Sequence, residues 1–238
     1  LCRIQDKSKR TDGLVGVFQK FNPGTALVFC NTKQLTEDVT LELRSRGFSS
    51  KALHGDMEQR DRNKTLIKFA NKSLSILIAT DVAARGLDID SLDLVVNYHL
   101  SRDPEVHTHR IGRTGRAGNS GVACSLFHES EEYKIEILEK TLGYPIERTV
   151  IDSLETDVRP AQPHMATLQI EGGKKQKIRP GDILGSLTRE DDIDASDVGK
   201  INILEKSAFV AIKRHSIKKA LHVLSNGKIK GKTFRTRK

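Results

Sequence analysis

Tryptophan is absent from this 238-residue sequence, aromatic residues make up only 5% of it, and it contains three cysteines. Cys2, Cys30 and Cys124 are odd in number, far apart and without a Cys-x-x-Cys pair. This pattern argues against a disulfide framework or a cysteine metal site. Cys30 and Cys124 lie in apolar runs typical of strands. We therefore expect buried free thiols, as in a protein of the reducing cytoplasm.

Long apolar runs are also missing from the sequence. No stretch approaches the roughly 20 residues that a membrane-spanning helix needs, and the first residues do not resemble a signal peptide. The chain opens on Leu1 without a methionine, and residues 1–5 alternate like a strand. These features predict a cytoplasmic protein without a membrane anchor, present here as a fragment of a longer chain.

The excess positive charge is concentrated in one region. The formal net charge is +9; residues 1–162 contain 23 basic and 23 acidic residues, whereas residues 163–238 contain 17 and 8. A concentrated basic region is typical of a protein that binds nucleic acid. A basic solubilising tail is the alternative.

Short apolar runs and amphipathic helical patterns alternate along residues 1–150. The runs are too short for helices and suit strands buried on both faces. The predicted strands are 25–30, 50–53, 75–79, 94–98 and 121–127. The predicted helices run from 31 or 32 to 46, over 58–71 and around 130–142. This alternation predicts an α/β fold with a parallel sheet and helices on both faces. In such folds ligands bind at the carboxyl ends of the strands.

Residues 151–162 lose this pattern, and polar residues with prolines at 160 and 163 predict a linker. A second domain is predicted over residues 163–238. Its expected elements are strand 166–170, helix 179–187, strands 198–204 and 208–212, helix 216–224 and a last strand over 228–237. This β-α-β-β-α-β order is that of a small ferredoxin-like sheet.

Residues 109–116, with the sequence HRIGRTGR, carry the strongest chemical signal. Arg110, Arg113 and Arg116 recur at every third position with glycines between them. The planar guanidinium binds phosphate with parallel hydrogen bonds, and glycine lets a backbone approach a bulky anion. A phosphate-rich ligand is therefore expected. The sequence contains no glycine-rich loop ending in Lys-Ser/Thr that would hold this ligand from the other side.

Four segments in the same order resemble the second RecA-like domain of DEAD-box RNA helicases. They are residues 26–32 (ALVFCNT), 54–62 (HGDMEQRDR), 79–89 (ATDVAARGLDI) and 109–116. The resemblance covers residues 1 to about 150 and implies an ATP-dependent RNA helicase. ATP and Mg²⁺ would both need the first RecA-like domain, which this sequence does not include. This chain by itself is therefore expected not to hydrolyse ATP.

The resemblance also implies roles for individual residues at the nucleotide. Arg113 and Arg116 would be arginine fingers, which stabilise charge on the transferred phosphoryl group and can be worth about 10³–10⁵ in rate. Asp88 would accept a hydrogen bond from a ribose hydroxyl, and Gly86 would give the backbone room. These residues would complete an ATP site from one side.

A further group of residues is implied in RNA binding and coupling. The RNA-binding residues would be Gln59, Arg62, Thr80 and Arg85. His109 would contact the partner domain, and Arg110 would brace its segment or couple it to RNA binding. Other interpretations stay open: Asp81 and Asp88 suit helix caps, the arginine segment suits a helix end, and Gln59 and Arg62 suit a solvated face.

In the second domain, residues 208–212 resemble a degraded third strand of an RNA-recognition motif, in which aromatic rings stack on bases. Only Phe209 keeps such a position, and a place in the core is the alternative. Basic residues must then supply most RNA contacts. They are Lys174, Lys175, Lys177, Lys228, Lys230, Lys232, Arg235 and Arg237. Because alternate strand residues share a face, the lysines of the predicted last strand would form a comb along a phosphate backbone.

Residues 177–185 (KIRPGDILG) and 227–232 (GKIKGK) resemble the C-terminal domain of one bacterial subgroup of these helicases. This resemblance implies a hairpin of 23S ribosomal RNA as the target and the assembling large ribosomal subunit as the partner. We expect a monomer. A non-catalytic RNA-binding protein that retains the fold is the alternative, and one half of a DNA helicase is a third hypothesis.

Overall fold

The computed structural model describes residues 1–85, 92–101, 103–115, 121–151, 160–189 and 193–238. The chain divides into two compact units, Leu1–Arg62 with Ser75–Gln162, and Asn63–Leu74 with Pro163–Lys238. Each unit contains its own sheet and its own hydrophobic core. Among the described helices, none has the length and apolar character needed to cross a bilayer.

Seven parallel strands form the sheet of the first unit. In chain order they are β1 (Cys2–Ile4), β2 (Ala26–Phe29), β3 (Ser50–Leu53), β4 (Ile76–Ala79), β5 (Leu94–Asn97), β6 (Val122–His128) and β7 (Thr149–Val150). Across the sheet the order is β3-β4-β2-β5-β6-β1-β7. Strands β2, β4 and β5 are buried along their whole length. The predicted parallel α/β fold with doubly covered strands is confirmed.

The helices along residues 1–151 follow the strands in alternation. They are α1 (Arg10–Phe21), α2 (Lys33–Ser45), α3 (Gln59–Ala70), α4 (Asp81–Ala84), α5 (Pro104–Ile111) and α6 (Glu132–Leu142). Helix α5 begins where Asp103 accepts a hydrogen bond from the Glu105 N–H at 2.9 Å, with Pro104 in the first turn. Because β2, β4 and β5 run parallel, α4, α5 and the segment after β2 meet at one edge of the sheet.

The second unit contains a four-stranded antiparallel sheet. Its strands are β8 (Met165–Ile170), β9 (Val198–Ile203), β10 (Ala208–Lys213) and β11 (Thr236–Arg237), and its helices are α7 (Pro180–Thr188) and α8 (Ile217–Asn226). The strand order is β11-β8-β10-β9. Leu168, Ile183, Val210 and Leu224 belong to the core that joins helices and sheet. The predicted β-α-β-β-α-β order is confirmed.

The last predicted strand is mostly a tight turn. The backbones of Ile229 and Lys232 exchange hydrogen bonds of 2.8 and 3.1 Å. Between them, Lys230 (φ 52°) and Gly231 (φ 78°) take the left-handed conformation of a two-residue turn. The prediction of a lysine comb on one strand face is therefore wrong, because alternation no longer orders side chains where the backbone reverses.

The face of the second sheet that would carry stacking rings is closed. Phe209 is 3% exposed, and its cross-strand partner Gln169 is 5% exposed. The neighbouring pair Ala211 and Thr167 is equally buried. A ring that stacks on a base needs an open face. Phe209 therefore occupies the core position that was its alternative, and the buried ring has no open face on which a base could stack.

Candidate nucleotide and RNA sites

A cavity of about 370 Å³ lies beside the ends of β2 and β4. Residues of β2, α4 and α5 line it, together with residues that follow the two helices. They are Phe29, Asp81, Ala84, Arg85, Val106, His109, Arg110 and Arg113. The cavity therefore joins three of the four segments that carry the helicase resemblance. Three guanidinium groups and one imidazole line it beside a single carboxylate, that of Asp81, and this excess of basic groups suits an anion.

Arg110 is the most constrained of these residues, with a side chain only 3% exposed. Its Nε and one Nη2 proton bind the two carboxylate oxygens of Asp81 at 2.6 and 2.7 Å. The other Nη2 proton points to Asn31 Oδ1 at 3.2 Å. Its Nη1 donates to Asn97 Oδ1 at 3.2 Å and to the His99 carbonyl oxygen at 3.4 Å.

These contacts use every donor that arginine has, since a guanidinium carries five N–H groups. The ring of Phe29 also lies 5.2 Å from the Arg110 guanidinium carbon. Arg110 therefore has no N–H left for a phosphate, and it ties α5 to the ends of β2 and β5 and to α4. Asp81 does not cap α4: Thr80 holds the N-cap position, and the Asp81 carboxylate pairs with Arg110.

Arg113 and His109 line the same cavity, but both are more exposed than Arg110. His109 is exposed and Arg113 is half-buried. The Arg113 N–H donates to the Arg110 carbonyl oxygen at 3.2 Å. The next residue, Thr114, donates through Oγ1 to the Leu92 carbonyl oxygen at 2.6 Å. The backbone of Arg113 is thus held from both sides. The predicted site residues Gly86, Asp88 and Arg116 lie outside the described residues.

The predicted RNA contacts of the first unit come together around α4. Arg62, in the first half of α3, donates through Nη2 to the Ala83 carbonyl oxygen at 2.7 Å. Gln59 begins the same helix and is exposed. Thr80 and Arg85 flank α4, and Arg85 is exposed. The structure therefore places 59–62 beside 80–85, although the two segments are separate in sequence.

Two neighbouring groups are unsuited to acid–base or nucleophilic chemistry. Burial raises the pKa of Cys30 to about 12, so its thiol stays protonated. Burial, with Arg10 nearby, lowers the pKa of His99 to about 4, so its imidazole is neutral at pH 7. Within the described ranges, no group of three or more His, Cys, Asp or Glu could hold a metal ion. The chemistry that this edge offers is cationic.

In the second unit, two basic loops lie against each other. Lys174–Gln176 form a short 3₁₀ helix, and Lys177 follows in the left-handed conformation (φ 55°). The Nζ of Lys230, at the tip of the turn described above, donates to the Lys177 carbonyl oxygen at 3.0 Å. We call Lys174–Lys177 and Lys228–Lys232 together the basic loop pair. The two stretches that carry the second resemblance meet in this pair.

The basic residues predicted to contact RNA differ in their exposure and in their distance from acidic residues. All lysines of the basic loop pair are exposed, as is Arg235. Lys174 lies 3.8 Å from Glu205, a long and solvated contact. Arg237 is half-buried and lies 3.5 Å from Glu171. Arg237 is therefore already partly neutralised, whereas most of the basic loop pair faces solvent.

Sequence reasoning gave no role to several residues that organise the first site. Asn31 follows β2 by two positions, Asn97 ends β5, and both amides accept from Arg110. Each amide stands at or just after the end of an apolar strand, and this position in the sequence is the signal by which both residues could have been found. Their pairing with Arg110 depends on the order of the strands.

A family model described as "Helicase conserved C-terminal domain" matches residues 7–118, and one described as "DbpA RNA binding domain" matches residues 167–238. The ATP-dependent RNA helicase DbpA of Escherichia coli K12 is 48% identical over 90% of this chain and 47% of that protein. The chain spans about half the length of the curated DbpA relatives that it matches.

Two solved structures extend the similarity to the fold. The Escherichia coli DEAD-box protein SrmB, bound to the regulator RraA, superposes with a TM-score of 0.60 and 31% identity. This match covers 68% of this chain and 95% of SrmB as crystallised. Saccharomyces cerevisiae Dbp5, bound to RNA and ADP BeF3, superposes with a TM-score of 0.59 and 32% identity over 63% of this chain and 41% of Dbp5.

Proposed function

The chain belongs to the DEAD-box RNA helicase family, and from that premise we propose that it supplies one half of an ATP site and two RNA-binding surfaces to an ATP-dependent RNA helicase. The observation that carries this proposal is that two arginines of the same segment differ in their contacts. Arg110 is saturated by contacts within the first unit, while Arg113 faces the cavity three residues later. One arginine fixes the segment, and the other is available to a phosphate.

Arg113 and Arg116 act in this proposal as the fingers that stabilise negative charge during phosphoryl transfer. Asp88 and Gly86 receive the ribose, and His109 and Arg110 couple this site to RNA. The cationic residues around the cavity fit the phosphates of ATP. The first RecA-like domain would supply the other half of the site, including the groups that hold Mg²⁺.

The RNA surface of the first unit consists of Gln59, Arg62, Thr80 and Arg85. The Arg62–Ala83 hydrogen bond and the Asp81–Arg110 ion pair support a mechanical link from this surface to the fingers. RNA bound at 80–85 would therefore stabilise the α4 segment, and α4 in turn holds Arg110. This link gives a structural reason for ATP hydrolysis to depend on RNA.

The second unit anchors the helicase to its target. Its exposed lysines and Arg235 would neutralise phosphates of folded RNA, because the closed sheet face leaves no platform for stacked bases. We propose a hairpin of 23S ribosomal RNA as this target and a role in large-subunit assembly, in a monomeric cytoplasmic protein. The proposed boundaries are 1–150 for the RecA-like domain, 151–162 for the linker and 163–238 for the RNA-binding domain.

Joining the chain to the first RecA-like domain of Escherichia coli DbpA tests the catalytic part. The fusion should hydrolyse ATP when the hairpin is present, whereas the chain alone should not. Arg113→Ala should lower kcat by about 10³-fold or more. Arg44→Ala, an exposed arginine on α2, is the matched control and should leave kcat unchanged. Full activity of Arg113→Ala would contradict the role of Arg113 as a finger. ATP turnover by the chain alone would contradict the proposal that it supplies only half of the ATP site.

Hairpin binding by the full chain tests the anchor. Neutralising Lys228, Lys230 and Lys232 together should weaken binding and reduce the slope of log K against log salt by about 2–3. Lys218→Ala, which replaces an exposed lysine of α8, is the control. An unchanged slope would place the phosphate contacts elsewhere. Equal affinity for a scrambled hairpin would reject the specific target.

A further inference from the structure

Asn97 is a fully buried amide at the carboxyl end of β5, with 0% exposure. In the sheet it lies between Phe29 of β2 and Ser125 of β6, its partners in the parallel ladder. A buried amide is costly unless its polar atoms are hydrogen-bonded. An apolar residue would suit this position better if packing were the only requirement.

The orientation of the Asn97 amide follows from its neighbours. Arg110 can only donate, so the Asn97 oxygen must face it, as it does at 3.2 Å. The amide nitrogen then donates to Ser125 Oγ at 2.9 Å and points to His107 Nδ1 at 3.5 Å. Burial lowers the pKa of His107, so its ring is neutral and one of its nitrogens can accept.

These contacts set the rotation of α5. His107 and Arg110 lie three residues apart on one helix face, are 4% and 3% exposed, and both meet Asn97. The carbonyl oxygen of Arg110 in turn accepts from the Arg113 N–H at 3.2 Å. A continuous path therefore runs from Ser125 through Asn97 and Arg110 to the backbone of Arg113.

We propose that Asn97, oriented by Ser125, is a positioning residue that sets the place of Arg113 in the ATP site. This inference rests on the proposed function of Arg113 as a finger. Asn97 contacts no ligand in this role. It acts because a finger displaced by about 1 Å can lose about 10²-fold in rate. A purely structural asparagine would affect folding and leave the finger unchanged.

Hydrogen exchange on the chain itself provides the first test. Ser125→Ala releases the Asn97 amide, and Asn97→Leu removes it at similar volume. Both should accelerate exchange of the Arg113 N–H by about tenfold, since its partner is the Arg110 carbonyl oxygen. Ser50→Ala is the matched control, because Ser50 is a buried serine of β3 that donates to the Thr40 carbonyl oxygen at 3.2 Å. It should lower Tm similarly and leave Arg113 exchange unchanged.

Catalysis by the fusion with the first RecA-like domain provides the second test. Asn97→Leu should lower kcat by about 10–100-fold, with the KM for ATP and the affinity for RNA within about twofold of wild type. Ser125→Ala should cause a smaller fall in kcat, and Ser50→Ala none.

The two tests separate failure of the inference from failure of the proposed function. If Arg113→Ala abolishes turnover while Asn97→Leu keeps the wild-type kcat, the positioning role is wrong. It is also wrong if Arg113 exchange responds equally to Ser125→Ala and Ser50→Ala. If the wild-type fusion shows no RNA-stimulated turnover, the proposed function fails. The exchange experiment then still decides whether Asn97 orders Arg113.

Discussion

Replacing Asp81 with asparagine should destabilise the first unit by about 2–3 kcal/mol. Asp81 accepts two short hydrogen bonds, of 2.6 and 2.7 Å, from a guanidinium that is 3% exposed. Asparagine keeps one acceptor, turns a donor toward the other N–H and removes the counter-charge. Breaking a buried ion pair from one side costs about 3–5 kcal/mol. The loss expected for Asp81→Asn lies at or below the lower end of that range, because Asp81 is 32% exposed and Arg110 keeps three other acceptors.

Tyrosine fluorescence during urea unfolding would measure this change in the full chain. The sequence contains no tryptophan, and its three tyrosines, Tyr98, Tyr133 and Tyr144, all lie in the first unit. The signal therefore reports on that unit alone. A double-mutant cycle with Arg110→Met isolates the pair, since Asp81→Asn should cost less than about 0.5 kcal/mol once the buried cation is gone.

The exposed carboxylate of Asp38 on α2 provides the control, and Asp38→Asn should stay within about 0.5 kcal/mol of wild type. A loss of less than about 0.5 kcal/mol for Asp81→Asn would contradict the reasoning. So would an equal loss in the presence and absence of Arg110. Either result would mean that the other acceptors hold Arg110 without its counter-ion.

Three further predictions concern Glu131, Phe209 and Gly121. Hydrogen bonds from Lys134 and Arg10 lower the pKa of Glu131 to about 2, so its stabilisation is complete above the ordinary pKa near 4.5 and is lost as pH falls toward 2. Glu131→Gln should abolish this fall in stability when Tm is measured as a function of acidic pH. An unchanged pH dependence of Tm would mean that a different group causes it. Phe209→Ala should cost about 3–5 kcal/mol in unfolding experiments while the folded variant keeps its hairpin affinity, and a selective loss of affinity would restore Phe209 as an RNA contact. Gly121→Ala should lower Tm, because an added Cβ would lie 2.7 Å from the Leu92 carbonyl oxygen; an unchanged Tm would show that the backbone relaxes freely there.

The architecture of both units could be read from local pattern. Apolar runs of four to seven residues, three of them followed by a predicted amphipathic helix, can bury their surface in a doubly covered parallel sheet. The predicted bounds of β3 and α7 differ from the structure by no more than one residue. Helix α1 was not predicted, because Gly13 and Gly16 lower its helix propensity. The two-residue strand β7 was too short to give a pattern.

Local pattern failed where the deciding interaction is distant or the backbone reverses. Alternating lysines after Gly227 imitate a strand, and a lysine with positive φ is rare enough that the turn at Lys230 leaves little trace in sequence. The burial of Phe209 depends on what covers the sheet face. The alternation of residues along a strand cannot reveal this, because the sequence pattern is the same for a covered and an open face.

The sequence by itself determined the two sheets, the family resemblance and the concentration of positive charge in the last third of the chain. It also identified the arginine segment as the chemical centre, because residue type and spacing suffice to predict phosphate recognition. The resemblance had already implied different roles for Arg110 and Arg113, but only the tertiary structure showed the contacts that distinguish the two side chains. That distinction depends on Asn31, Asp81 and Asn97, which three strand ends bring to one guanidinium, and a contact between separate strand ends exists only once the sheet has formed.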